Sequence, residues 1–499
     1  LFANLLFAKR LKQACPSVTI VLGGPTVSPP TIGDSVLETY RFVDFIVQGE
    51  GERPLLALVD QIETDGRDVT VASSVLPKGV GSRRRPVAEA GQWQVENIDE
   101  LPTPNHDSFY FNRPYLPKSS IPIEASRGCW WVRSDRHTCQ FCNLNIQWDG
   151  YRQKSPQRIS EEIAELSRRY QLHHFTFVDN ILRVQGFDEF VDELAAVPID
   201  LSFFYEARAH ITPEMILRLV EAGMRGVQFG LEGLSTGFLR RIKKGTTTIM
   251  NLQVMKICAE LKVNSVSNLI VDFPGATEEE VAETVAVIER FAFAYQPALV
   301  AGFELGIDST VQRYPEEFHL TELRNHERYA QVIPPEVLAT LRTYQLSWSN
   351  TPDANPADWQ PVKERVNDWV RWCNTNQVRF EYLDGGSFLN IIRKKPDAEL
   401  EVIRLSEDEA TVYRFCLRTR LRSEIHRRLV SDSTSVEQID AMLASFVDRD
   451  LVFQEGSHFL ALAKASDPYI AMRRIRREAA EEQAASDRRS PVRLAVVSG

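Results

Sequence analysis

Hydrophobic and polar positions along this chain follow two periods, and the switching between them predicts its fold. Short apolar runs of strand length occur at IPIEAS, HHFTFVD, LSFFYEAR, GVQFGLEG, VSNLIVDFPG and ALVAGFELG. Between them lie SPQRISEEIAELSRRY, FDEFVDELAAV, TPEMILRLVEAG, MNLQVMKICAELK and TEEEVAETVAVIERFAF, with apolar residues at helical spacing. Some of these open on cap residues, such as Ser155-Pro156 and Thr212-Pro213-Glu214. Six βα units in a row over residues 119–306 predict an α/β fold, with a parallel sheet curled into a partial (β/α)6, TIM-like barrel.

The flanking regions carry other patterns. Residues 1–65 alternate helix and strand. An amphipathic helix leads to VTIVLGGP, a buried strand closing on a glycine pair, then to FVDFIVQGEGE and a helix at RPLLALVDQIE. This is the C-terminal part of a doubly wound, Rossmann-like unit. The chain starts on Leu1 inside an apolar helix, which reads as a fragment without its natural start and not as a signal peptide. Residues 66–118, rich in Pro, Gly and Arg, predict a linker with a small hairpin, and residues 307–404 an irregular region covering the barrel. Over 405–466, SEDEATVYRFCLRTRL, SEIHRRLV and SVEQIDAMLASFVDRD predict three helices. LVFQEG-SHFLALA predicts a hairpin turning at Gly456, which completes a winged-helix-like unit. Residues 467–499 predict a charged tail, either a frayed helix or disordered.

Composition narrows the function class. A net charge of -10 counts against a general nucleic-acid binder. No apolar run approaches the roughly 18 residues a membrane span needs. Seven irregularly spaced cysteines do not make a disulfide framework. They fit a reducing cytoplasm and metal ligation better.

Three of those cysteines, Cys129, Cys139 and Cys142, fall in RGCWWVRSDRHTCQFCNLN, directly after the first barrel strand. The C-x2-C pair lets two thiolates reach one metal centre. The loop lies at the C-terminal end of a strand, where α/β barrels place their chemistry. A structural zinc site wants four ligands, and His137 is a strained candidate for the fourth. An iron–sulfur cluster held by three thiolates leaves one iron open. The residues alone leave both readings open.

The segments SRGCWW, CQFCNLN, YRQKSPQR, FVDNIL, FYEARA, VQFGLEGLS, KGTTTIMNLQ and NLIVDFPG occur in order along the barrel. With YLDGG and FLALA further on, they resemble the cobalamin-binding radical S-adenosylmethionine (SAM) enzymes. Within that group the chain is most similar to the RiPP maturation radical SAM proteins, which process ribosomally made peptides and include C-methyltransferases. One departure is the C-x9-C-x2-C spacing in place of the common C-x3-C-x2-C.

The resemblance implies that Cys129, Cys139 and Cys142 ligate a [4Fe-4S] cluster whose free iron binds SAM. It implies that Phe141 packs near the adenine and that Asp179, Asn180, Glu206, Arg208, Gln228, Glu232 and Asn268 line the SAM pocket. Two of these, Glu206 and Arg208, share a face at strand period; a structural ion pair is the plainer alternative. Gln228 and Asn268 fit a satisfied polar layer equally well. No catalytic residue is singled out. Gly23, Gly24, Gly49 and Glu50 follow the N-terminal strands, where similar proteins hold the nucleotide tail of cobalamin.

The implied function is a cobalamin-dependent C-methyltransferase acting on a ribosomally synthesised precursor peptide, with flavodoxin or ferredoxin as reductant. The C-terminal module would hold the precursor's leader segment as an added strand or groove ligand. Other radical SAM outcomes (methylthiotransferase, epimerase or cyclase) are the nearest alternatives. A zinc-stabilised winged-helix DNA-binding regulator is the alternative from another class.

Overall fold

The computed structural model of the chain describes residues 1–65, 76–111, 119–134, 137–144, 147–375 and 377–487. At its centre is a six-stranded sheet of β1 (Ile121–Ile123), β2 (His174–Phe177), β3 (Ser202–Arg208), β4 (Met224–Glu232), β5 (Asn264–Val271) and β6 (Leu299–Gly302). Every neighbouring pair is parallel, and the strands stand in chain order. β1 and β6 are the two ends of the sheet, so the barrel is partial and open between them. These are the six strands that the period-two runs predict.

Alternation along the strands sorts side chains onto two faces. Phe203 and Tyr205 of β3 and Val227, Phe229 and Leu231 of β4 are each at most 2% exposed and pack under the helices. Phe177 stacks on Tyr205 with centroids 4.4 Å apart. Burying each such side chain contributes about 1.5–3 kcal/mol. The intervening positions, Glu206, Gln228, Gly230, Glu232 and Asn268, are only half-buried and face the lumen.

The helices begin where the caps predict. Ser155 Oγ accepts from Arg158 N at the head of Pro156–Tyr170, and Thr212 Oγ1 accepts from Met215 N at the head of Pro213–Glu221. Thr277 and Glu280 form a reciprocal capping box on Glu278–Val287. A short helix, Thr236–Arg241, precedes Thr248–Leu261 and supplies a turn that the pattern alone does not separate.

The N-terminal unit pairs Val21–Leu22 with Phe45–Val47 in parallel, flanked by helices Phe2–Ala14, Pro30–Thr39 and Glu52–Asp65. Pro30–Thr39 is absent from the sequence reading, because GDS interrupts its short apolar pattern. Of the predicted linker, residues 66–75 and 112–118 lie outside the described residues. Val80–Ser82 adds an antiparallel strand to the N-terminal sheet.

Residues 307–404 are far from irregular. Leu305–Gly306, Gln345–Asn350 and Leu320–Asn325 form one antiparallel sheet. Arg379–Asp384, Leu389–Lys394 and Glu401–Leu405 form another, with Lys464–Ala465 alongside in parallel. Polar residues such as the Arg-Asn and Arg-Lys strand ends hide these strands from a hydrophobic scan. Trp359, Trp369 and Trp372 are buried core residues, and Trp369 Nε1 donates to Tyr295 O at 3.2 Å.

Three helices follow, Glu407–Phe415, Arg422–Leu429 and Val436–Asp448, with a three-stranded sheet of Arg420–Leu421, His458–Ala461 and Val452–Glu455. The hairpin turns at Gly456, whose φ is 57°. Of the two readings of the tail, the structure shows the helix, over Pro468–Asp487, with Ala471 and Ile475 fully buried; residues 488–499 lie outside the described residues. Among the described residues, no helix is long and apolar enough to cross a membrane.

Candidate metal and cofactor site

The loop after β1 turns sharply at Gly128, whose φ of 84° and contact with the Gly150 carbonyl leave no room for a Cβ. Cys129 follows at once. Its partners in the cluster motif, Cys139 and Cys142, are positioned by the segment 240–245: Gln140 N donates to Ile242 O at 3.0 Å, and Trp131 Nε1 donates to Lys243 O at 3.2 Å. Gly245, at φ 75°, lies flat under the Trp131 ring, where any side chain would overlap the indole.

All three cysteines line one cavity of about 260 Å³ at the C-terminal end of the strands. Phe141, Asn180, Glu206, Arg208, Gln228, Glu232 and Asn268 line the same cavity. Register explains the convergence. Glu206 lies opposite Gln228 and Arg208 opposite Gly230, while a bulge between Ser267 and Leu269 sets Asn268 beside the end of β4. Period-two alternation then turns these positions to the lumen together.

The alternative for Glu206 and Arg208, a structural ion pair with each other, does not form among the described residues. The Arg208 guanidinium lies 4.5 Å from the Trp131 ring centroid, donates through Nη1 to Cys139 Sγ at 3.5 Å, and donates through Nη2 to the Lys244 carbonyl. The carboxylate of Glu232 instead takes Lys244 Nζ at 2.9 Å. Burial, and then Glu232, raise the Glu206 pKa. Desolvation raises the Cys129 pKa and pushes Cys142 up to about 12, so these thiols keep their protons until a metal displaces them.

Two predicted ligand residues do other work. Asp179 does not line the cavity; its buried carboxylate accepts from Ala125 N at 3.0 Å and from Ser126 Oγ, which braces the end of β1. Burial there brings its pKa up to about 7. Glu50 is likewise spent. Its buried carboxylate accepts from Val95 N at 2.8 Å, from Arg152 Nη2 at 2.5 Å and pairs with Arg127 Nη1 at 3.1 Å, riveting the N-terminal unit to the cluster loop. Both are acids at strand ends whose charge is consumed by the protein.

Of the other N-terminal positions, Gly23 and Gly24 stay accessible, whereas Gly49 is buried, with the Gln147 carbonyl oxygen 3.3 Å from a Cβ built on it. Nothing lies within 4 Å of a Cβ built on Gly24, and Ser28 Oγ ties the two glycine loops by accepting from Gly49 N at 3.1 Å and donating to Gly24 O at 3.0 Å. Gly23 rests against Val47 at 3.5 Å. Gly23 and Gly24 fit the approach of a bulky ligand; Gly49 and Glu50 do not.

Sequence reading missed Trp131, Gly245 and Lys244. The tryptophan pair after Cys129 and the KKG before the threonine run were the available signals. Neither states a partner without the fold. For the zinc alternative, His137 is exposed and packs on Trp131 at 5.5 Å. Among the described residues, no three His, Cys, Asp or Glu side chains gather closely enough to hold a single ion. A cluster asks for a wider arrangement, because each thiolate takes a different iron. The basic residues of the C-terminal module are engaged with acids: Arg418 with Glu214 and Glu482, Arg420 with Glu482, Arg422 with Asp440 and Arg428 with Glu481.

Comparison with known proteins agrees with this geometry. Residues 125–288 match the Radical SAM superfamily. An uncharacterized methyltransferase of Pyrococcus horikoshii is 24% identical over 351 residues, covering 68% of this chain and 72% of that protein. The anaerobic magnesium-protoporphyrin IX monomethyl ester cyclase of Synechocystis is 25% identical over 280 residues, covering 53% of this chain and 52% of the cyclase. Among solved structures, the cobalamin-dependent SAM radical enzyme OxsB, with aqua-cobalamin and SAM bound, superposes with a TM-score of 0.52 at 15% identity. That match covers 97% of this chain and 69% of OxsB. The radical SAM methyltransferase TsrM of Kitasatospora setae, with cobalamin and a [4Fe-4S] cluster bound, gives 0.54 at 16% identity, covering 73% and 75%. At these identities the structural likeness establishes the fold. Residues 125–288 thus carry a radical SAM domain, which implies a [4Fe-4S] cluster and SAM.

Proposed function

We propose that this chain is a cobalamin-dependent radical SAM C-methyltransferase that modifies a ribosomally made peptide in a reducing cytoplasm. One observation carries the reading: three cysteines and the polar inner face of β3–β5 front a single cavity. When bound, a [4Fe-4S] cluster with an open iron supplies reductive cleavage of SAM, and methylcobalamin supplies a methyl group.

The chain's own residues serve that chemistry as follows. Cys129, Cys139 and Cys142 would hold the cluster as thiolates. Phe141 offers an apolar ring face for the adenine. The Glu232–Lys244 pair presents one carboxylate and one ammonium, complementary to the amino and carboxylate groups of SAM. Glu206 and Asn268 supply polar contacts from the lumen wall, and Trp131, Val132, Ile181 and Leu144 keep water from the rest of the cavity. Gly23 and Gly24 would admit the cobalamin tail at the ends of the N-terminal strands. The winged-helix-like module would hold the precursor's leader, and a flavodoxin or ferredoxin would deliver electrons. Methyltransferase-named relatives and cobalamin-bound structural neighbours support this choice among radical SAM outcomes.

The test is anaerobic incubation of the complete protein with SAM carrying a labelled methyl, cobalamin, a reductant and the precursor peptide. Gain of the labelled methyl on peptide carbon is expected. A cyclised or epimerised product without the label would replace methylation with one of the alternatives.

A further inference from the structure

The open side of the barrel ends on an unprotected strand. Among the described residues, β6 (Leu299–Gly302) pairs with β5 and has no strand on its other side, so half of its backbone donors and acceptors face outward. Natural edge strands are usually blunted by lysine, proline, a bulge or a covering element. This one reads Leu-Val-Ala-Gly and has none of the first three. The helix Gln360–Asn374 packs against it, yet Leu299 is 54% and Val300 37% exposed.

The edge adjoins the strand that walls the cavity, although β6 itself contributes no lining residue. Leu299 lies directly opposite Asn268, which lines the cavity beside Arg208 and Glu232. In a parallel pair, residues in register turn to the same face, so Leu299 extends the lumen wall sideways as an apolar step. Gly302 sits at the end of the strand nearer the reactive mouth, and nothing lies within 4 Å of a Cβ built there. A glycine in a strand marks a place where another backbone can approach closely.

From this we infer that β6 is the docking edge for the substrate, which adds as a seventh strand and carries its target side chain from the edge into the lumen. The inference rests on the peptide reading above and deepens it. Chemistry selects the occupant: a row of alternating N–H and C=O groups is matched by an extended polypeptide. A second copy of the chain is disfavoured by area. A four-residue edge with two exposed apolar side chains falls well short of the roughly 800 Å² per partner of a stable dimer. A substrate peptide adds the cavity itself to its contacts.

The experiment uses the full-length holoenzyme and a fluorescein-labelled ten-residue peptide of alternating threonine and valine, with a counterpart N-methylated at every second amide. Polarisation should report binding of the first peptide, at least tenfold weaker binding of the second, and slowed amide exchange at residues 299–302 in the complex. Gly302→Val and Val300→Lys should each weaken the first peptide at least tenfold and leave SAM binding unchanged. Valine suits a strand, so Gly302→Val keeps the fold intact while closing the approach. Equal binding of the two peptides, or full affinity in Gly302→Val, overturns the proposal. So does a concentration-dependent dimer of wild type that Val300→Lys abolishes. A precursor peptide that is methylated with unchanged KM by Gly302→Val would remove the edge and keep the peptide substrate. A wild type that cleaves SAM but takes up no peptide would remove both.

Discussion

At the residue scale, the site separates side chains that face a ligand from those that hold the protein together. Sequence could name Asp179 and Glu50 as acids at strand ends, but not say that Ser126 and Ala125, or Arg127 and Arg152, consume them. The alternation that turns Glu206, Gln228 and Asn268 inward was legible, because period two is a property of the strand itself. The Trp131–Arg208–Cys139 contact was not, since Cys139 and Arg208 lie 69 residues apart and only the fold brings them together. Asp179 yields a pH prediction. Its folded pKa is about 7 against an ordinary 3.8, so the folded state holds the proton longer than the unfolded one. The stability this gives is complete below pH ~4 and is lost as pH rises to ~7. Asp179→Asn keeps an acceptor and removes the titration. Its stability by urea denaturation of the apoprotein should therefore rise relative to wild type between pH 4 and 7 and hold a constant offset above. A pH-independent offset would refute the assignment.

At the element scale, the helix Thr248–Leu261 carries more than a barrel βα unit requires. Lys256 is fully buried and donates to Leu417 O and Ala461 O, both at 2.7 Å. Burial brings its pKa down to about 7. One turn on, Glu260 accepts from Ala465 N at 2.8 Å and from Arg474 Nη2 at 2.6 Å. The helix thus grips the winged-helix-like module and the C-terminal helix with its outer face. Its apolar pattern predicts a helix, but a buried Lys and Glu read in sequence as solvent-facing residues. Glu260→Ala leaves the Arg474 guanidinium buried without its carboxylate, and a loss of about 3–5 kcal/mol is expected on denaturation. A loss under 1 kcal/mol would show that the charges are not coupled across the junction.

At the scale of the whole molecule, one hydrophobic cluster runs from Ile121 of the barrel through Phe380 and Leu389 to Leu460 and Ile475, while the N-terminal unit packs in separate clusters, the larger shared with Ile307, Ile333 and Leu341. A module boundary at residue 405 follows composition, yet packing crosses it. Removal of residues 405–499 should therefore yield aggregated chain, not a competent barrel lacking leader affinity. A soluble, cluster-loading truncation would contradict that continuity. The sulfur trio at the mouth of this assembly is what every proposed activity requires. The most direct measurement is anaerobic reconstitution with iron and sulfide, followed by 5′-deoxyadenosine formation from SAM under reduction, for wild type and for Cys139→Ala. Wild type should take up about four irons per chain and form 5′-deoxyadenosine, with Cys139→Ala forming none. Undiminished SAM cleavage by Cys139→Ala would contradict the account.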